Sequence, residues 1–134
     1  PDQVARIVAL LDAGLAAGGV AVGTGPAYTP GASADELAAV FHTAARHGAL
    51  VFAHMGGAAG GLTAMLDLAA TTKAPLHIAH INSTAGDDIR AWLDTVTAAR
   101  ATGTDVTTEV YPYTAGATLI QSALYDGWES WPDA

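Results

Sequence analysis

A chain of 134 residues, 51% hydrophobic and only 13% charged, has the length and composition for one ordinary folded domain and is no disordered segment. Its 13 acidic residues against 5 Lys and Arg give a formal net charge of -8, which argues against nucleic acid or an anionic membrane surface as a partner. No apolar run is long enough to span a bilayer, there is no signal-peptide pattern, and the absence of cysteine excludes disulfides and thiolate ligands within these residues and fits a cytoplasmic setting.

In chain order, Val4, Ile7, Val8, Leu11 and Leu15 recur at helical spacing, so the pattern predicts a helix over Asp2 to Ala17, stopped by Gly18-Gly19. A very short strand follows at Val20-Ala21-Val22, then a Pro- and Gly-rich loop, Gly23 to Gly31. Ser33 with Glu36 three residues on is a capping-box pattern and opens a helix to about His47. The apolar run Ala49-Leu50-Val51-Phe52-Ala53-His54 reads as a buried parallel strand, and Pro75-Leu76-His77-Ile78-Ala79-His80 echoes it. Between them lie the loop Met55 to Gly61 and a helix built on Leu62, Met65, Leu66 and Leu68. After a turn at Asn82 to Gly86, Asp87-Asp88 precede a helix carrying Ile89, Trp92, Leu93 and Val96, with Arg100 near its negative end. Thr104 to Tyr113 is β-branched and aromatic and reads as a fourth strand; the tail with Leu119, Ile120, Leu124, Trp128 and Trp131 has no firm assignment. The alternation αβαβαβαβ means an α/β fold with a parallel sheet, either an open doubly wound sheet or part of a closed barrel. The chain starts on a helical pattern without an initiator Met and stops without a closing element, so it is expected to be an excised piece of a longer polypeptide.

In such folds ligands and catalytic groups sit at the carboxyl ends of the strands. His54 and His80 end two neighbouring strands and are the leading candidates for metal ligands, since neutral imidazole binds zinc at about 2.0–2.1 Å. The alternative is a pair of core histidines hydrogen-bonded to backbone. Side-chain alternation places Leu50, Phe52 and His54 on one face, as it does Leu76, Ile78 and His80, and these would be lumen faces in a barrel. It sends His77 to the opposite face, toward the helices. His42 and His47 read as surface or packing residues. Tyr111 and Tyr113, at the end of the last strand, are candidates for substrate binding or for core aromatics. Asn82 and Ser83, just past His80, could touch substrate or serve as cap and turn residues. The glycine stretches lack the pattern of a phosphate cradle: Gly56 to Gly61 has no following Lys-Ser/Thr, and Gly23-Thr24-Gly25 has no third glycine.

Four segments together carry a resemblance. Gly23-Thr24-Gly25-Pro26-Ala27-Tyr28-Thr29-Pro30-Gly31, Ala53-His54-Met55, Ile78-Ala79-His80-Ile81-Asn82-Ser83 and Val110-Tyr111-Pro112-Tyr113-Thr114-Ala115-Gly116, in this order and spacing, resemble the N-acyl-D-amino-acid deacylases (D-aminoacylases) of the metal-dependent amidohydrolase superfamily. The resemblance covers nearly the whole chain and implies a partial (β/α)8 TIM barrel, about strands four to seven, with residues 1–134 forming a central to C-terminal part of the barrel domain that is incomplete at both ends. It implies that His54 and His80 are zinc ligands at the ends of strands five and six. The remaining ligands and the general-base aspartate would lie outside this chain, and one or two zinc ions would polarise the amide carbonyl and activate a water. The implied substrate is a small N-acyl amino acid, and the bond cut is a linear amide.

Three departures from the family pattern stand out. Gly56 occupies a position where members often carry Arg, and Asn82 one where many carry Lys; the His-Ile-Asn-Ser form is closer to a D-glutamate deacylase-like branch. The strand ending near Gly23 has no Lys for a carbamylated bridge of the kind found in related dihydroorotases and hydantoinases. Rival readings are a cyclic-amide amidohydrolase and a non-catalytic barrel piece acting as a scaffold; two open sheet edges also leave room for oligomer formation.

Overall fold

A computed structural model describes residues 2–56, 60–119, 122 and 125–132. Helix α1 runs Asp2–Ala16, strand β1 Ala21–Thr24, α2 Ala34–Arg46, β2 Leu50–Ala53, α3 Leu62–Thr72, β3 Leu76–Ile78, α4 Ile81–Ala85, α5 Ile89–Ala101 and β4 Val106–Thr108, with short 3-10 turns at Gly86–Asp88 and Trp128–Ser130. The strands form one parallel sheet in the order β1-β2-β3-β4. A doubly wound sheet reverses its strand order at a switch point, whereas a barrel adds each strand beside the last. The unbroken order is that of a (β/α) barrel arc. Helices α1, α2, α3 and α5 pack side by side in the same sequence.

The register explains where the core lies. Val22, Val51, Leu76 and Val106 are aligned across the four strands, and Ala53 stands beside Ile78. These residues are buried and pack with Leu37, Phe41, Leu66 and Val96 of the helices. The opposite face carries Gly23, Phe52, His77 and Thr107 in one row, and Phe52 there is 37% exposed.

Two sequence expectations are corrected by this register. Leu76 and Ile78 lie on the helix-covered face with Val51 and Ala53, not on the open face of Phe52. His77 is on the open face, its ring centroid 4.2 Å from that of Phe52 and its Nδ1 2.8 Å from Thr107 Oγ1. The backbone leaves the strand at His80, so alternation counted back from that residue inverts the whole of β3.

The local signals behaved as expected in most helices. Ser33 Oγ accepts from the Glu36 amide at 3.1 Å and caps α2, and Gly48 follows it with a φ of 62°. The turn at Asn82 to Gly86 holds instead the one-turn helix α4. The strand expected over Thr104 to Tyr113 pairs only at Val106–Thr108. Ile120 and Leu124 of the tail, and Gly57 to Ala59 of the glycine loop, lie outside the described residues. Among the described residues no helix is long and apolar enough to cross a membrane.

Candidate metal centre

His54 continues β2 by one residue, because its backbone amide donates to Thr24 O at 2.9 Å and keeps the chain extended. Its ring therefore projects on the Phe52 side of the sheet. At the end of β3, Ala79 N still donates to Ala53 O at 3.0 Å, and then His80 turns into the left-handed region with φ 33° and ψ 57°. That conformation costs a side-chain-bearing residue about 1–2 kcal/mol. It swings the imidazole off the course that would follow Ile78. His80 Nε2 comes within 2.9 Å of His54 Nδ1, with ring centroids 4.4 Å apart and planes at 73°.

Two nitrogens bound to one tetrahedral zinc at about 2.0–2.1 Å each would stand roughly 3.3 Å apart. The observed gap is a few tenths of an ångström shorter, the length of an N–H···N hydrogen bond. Its direction follows from the far side of His80, whose buried Nδ1 has no hydrogen-bond partner. A bare lone pair there is less costly than an orphaned N–H, which favours His80 Nε2–H donating to His54 Nδ1. An ion between the rings requires both facing nitrogens unprotonated. Burial, and then the nearby His80, lower the His54 pKa and hold its ring neutral, with a lone pair free for this purpose. An ion at His80 Nε2 moves that ring's proton to Nδ1, so the pair fits as two ligands of one ion once an acceptor meets His80 Nδ1, and none does among the described residues. It is not a whole site: among the described residues no group of three or more His, Cys, Asp or Glu is placed to hold a metal.

The pair opens into a cavity of about 780 Å³ walled by the loop Pro26–Tyr28, Pro30, Met55, Gly56, Ser83, Tyr111 and Thr118. Tyr28 packs its ring 4.6 Å from that of His54, and its hydroxyl lies 3.4 Å from Thr118 Oγ1. Tyr111 lines the cavity, 6.5 Å from the His80 ring, with its hydroxyl donating to Ala115 O. Ser83 lines it as well, and its amide closes the first turn after His80. Tyr113 does not reach the cavity; it is 70% exposed and packs edge-on to Tyr111. Asn82 is committed elsewhere too. Its Nδ2 donates to Tyr111 O at 3.0 Å and its Oδ1 accepts from Tyr111 N at 2.8 Å, a side-chain imitation of a strand partner.

Tyr28 is the site residue that sequence reading passed over, filed as loop by the prolines and glycines around it. Those same residues build the wall. A Cβ on Gly56 would meet Ala27 Cβ at 2.5 Å, and one on Gly60 would meet Pro26 Cβ at 2.2 Å. Gly56 and Gly60 are also bridged to each other, Gly56 N to Gly60 O at 3.1 Å. Only glycine admits so close an approach of two loops.

No family model and no curated protein matches the sequence. Among solved structures, the chain superposes on a D-aminoacylase described as defining a novel subset of amidohydrolases, with a TM-score of 0.74 and 27% identity over 86% of this chain. The fold is shared with the D-aminoacylases. An N-acyl-D-glutamate deacylase from Bordetella bronchiseptica, solved with zinc and a phosphonate mimic of the reaction's tetrahedral intermediate, matches with a TM-score of 0.70 and 28% identity over 84% of the chain. A D-aminoacylase mutant in complex with CuCl2 matches with a TM-score of 0.69 and 26% identity. The chain covers 26% of the length of each of these three structures, about a quarter of a D-aminoacylase. The arc of four βα units thus matches part of the TIM barrel of these amidohydrolases.

Proposed function

We propose that this chain is a central part of the barrel domain of a zinc-dependent hydrolase that removes the acyl group from N-acyl-D-amino acids. The observation that carries the reading is the convergence of His54 Nδ1 and His80 Nε2 to 2.9 Å at the carboxyl ends of adjacent parallel strands, facing a cavity. A strained His80 backbone supports it, since conformations of this cost persist at sites where geometry serves a function. The similarity to an N-acyl-D-glutamate deacylase and to a D-aminoacylase supports this substrate class. Bound zinc would supply Lewis acidity toward the amide carbonyl and a water of lowered pKa.

What these residues contribute is positional. His54 and His80 present two ring nitrogens at one point, 2.9 Å apart. Tyr28 packs against the His54 ring and limits its rotation. Asn82 pins the backbone of Tyr111 and so fixes the far wall of the cavity, a positioning role and not a substrate contact. Ser83 and Tyr111 are the residues of this set that face bound substrate, with Tyr113 supporting Tyr111 from behind.

The test uses the complete barrel protein that carries these residues, with His54→Ala and His80→Ala. Each variant is expected to retain the wild-type circular dichroism, to lose most of its zinc by elemental analysis, and to lose at least a hundredfold in deacylation rate, the scale on which ligand removal acts. A variant that kept its zinc and its rate would remove that histidine from the ligand set. Turnover of hydantoins or dihydropyrimidines alone would replace the deacylase reading by that of a cyclic-amide hydrolase.

A further inference from the structure

The hydrogen bonds between β3 and β4 keep step as far as Ile78 and then slip by one residue. In a regular parallel ladder a residue donates to the carbonyl before its partner and accepts from the amide after it, so the two contacts lie two positions apart on the neighbouring strand. Glu109 N donates to Ile78 O at 3.3 Å, but Glu109 O accepts from Ile81 N at 3.1 Å, three positions on. One extra residue has entered opposite Glu109. This is a β-bulge, which bends its strand and re-aims a side chain. Ala79 stays tied to β2, its amide donating to Ala53 O at 3.0 Å, so the bend is taken at His80, where φ is 33°. Without the extra residue, alternation would send His80 to the helix-covered face with Ile78. With it, His80 Nε2 comes within 2.9 Å of His54 Nδ1.

A left-handed φ at a residue with a side chain persists only where its surroundings over-determine it. On one side of His80 the surroundings are the Ile78 and Ile81 contacts with Glu109. Past Ile81 a side chain carries the pairing on. Asn82 Nδ2 donates to Tyr111 O at 3.0 Å and Asn82 Oδ1 accepts from Tyr111 N at 2.8 Å. Asn82 belongs to the turn that opens at His80, since Ser83 N donates to His80 O at 2.9 Å. A shift at His80 therefore moves the clamp, and release of the clamp frees the bulge. Resting on the reading of His54 and His80 as metal ligands, we infer that Asn82 is a positioning residue for His80: by closing the ladder beyond the bulge it holds the His80 imidazole against His54, and it couples metal binding at that ring to order in the Tyr111 wall. Such a coupling is reciprocal: the factor that the clamp adds to metal affinity is the factor that metal adds to the clamp.

The experiment uses the complete barrel protein, stripped of metal and titrated with zinc against a chromophoric chelator, with no substrate present. Asn82→Ala is expected to weaken zinc binding about tenfold, the lower end of the range for groups that orient a metal ligand. In the wild type, zinc is expected to slow hydrogen exchange at the Tyr111 amide by a similar factor, and in Asn82→Ala to leave it unchanged. Val96→Ala, a core truncation in α5, controls for lost stability alone and is expected to keep the wild-type zinc affinity. Asn82→Leu, which fills similar space without either hydrogen bond, replaces the alanine variant should that one not fold. An Asn82 variant that binds zinc as tightly as the wild type, or a Val96→Ala variant that loses as much affinity, overturns the positioning role. His80→Ala separates this result from the reading beneath it. If His80→Ala loses zinc while Asn82→Ala keeps it, the positioning role alone fails; if His80→Ala keeps its zinc, the ligand reading fails and takes the positioning role with it.

Discussion

His80 is the residue where sequence pattern and backbone part company. Its position at the end of an apolar run made it legible as a site candidate, and so did that of His54. Its left-handed φ was not legible, because histidine, unlike glycine, carries no advance sign of that conformation. From that one angle came the inverted assignment of Leu76, Ile78 and His77. The electrostatics of the pair yield a pH expectation of definite sign. The His54 pKa lies below the ordinary histidine value of 6.5, first through burial and second through His80. In the metal-free protein His54 therefore binds fewer protons folded than unfolded over a window beginning near 6.5 and running down to its folded pKa. Stability should be level above that window, fall as pH drops through it, and level off again below. Urea denaturation of metal-free protein between pH 7 and pH 5 checks this, with His54→Asn expected to lose part of the slope; a wild type that gains stability on acidification would contradict the burial argument.

At the scale of elements, helices were the legible part. Apolar spacing located α1, α2, α3 and α5, and the Ser33 cap and the glycines after α1 and α2 marked their limits. Strands were less so. The run after Gly103 is rich in β-branched residues up to Thr108, and the strand ends there because β3 ends at Ile78; Glu109 still donates to Ile78 O and accepts from Ile81 N. Asn82 takes over where the ladder stops. From its place in α4 it gives the Tyr111 backbone one acceptor and one donor, so the chain past β4 stays extended along the cavity. Sequence reading gave Asn82 a substrate or a cap, because a side chain standing in for a missing strand has no local signature. Asn82→Ala should cost about 1–3 kcal/mol, the range for leaving part-buried backbone groups unpaired. The accompanying change is specific: hydrogen exchange at the Tyr111 amide should accelerate while that at Val51 in the sheet centre stays slow. Equal protection at Tyr111 in the variant would mean that the clamp does not hold the wall.

At the scale of the whole molecule, alternation of helices and strands established a parallel α/β fold but not how the strands are ordered. Periodicity reports which face of an element is buried and says nothing about its neighbours in a sheet. The order β1-β2-β3-β4 resolves that, and it leaves a consequence for the 134-residue chain in isolation. Eight strands close a barrel, bury the inner layers of side chains and abolish the edges. Four strands bury one face only. The row of Gly23, Phe52, His77 and Thr107 lies open, and the outer edges of β1 and β4 are unpaired within the sheet. Val20 beside β1 is 88% exposed and Val110 beyond β4 is 68% exposed, so both edges are flanked by apolar side chains, and Arg100 covers one carbonyl of β4, Val106 O. Edges of this kind recruit further strands. The isolated chain is therefore expected to self-associate, with a weight-average mass in sedimentation velocity that rises with concentration and a thermal transition that is broad. Lysine at both flanks, Val20→Lys with Val110→Lys, should shift the distribution toward monomer without altering the helical circular dichroism, since neither residue packs in the core. A monomer with a sharp, concentration-independent melt would instead show that one covered face is sufficient to hold the arc together.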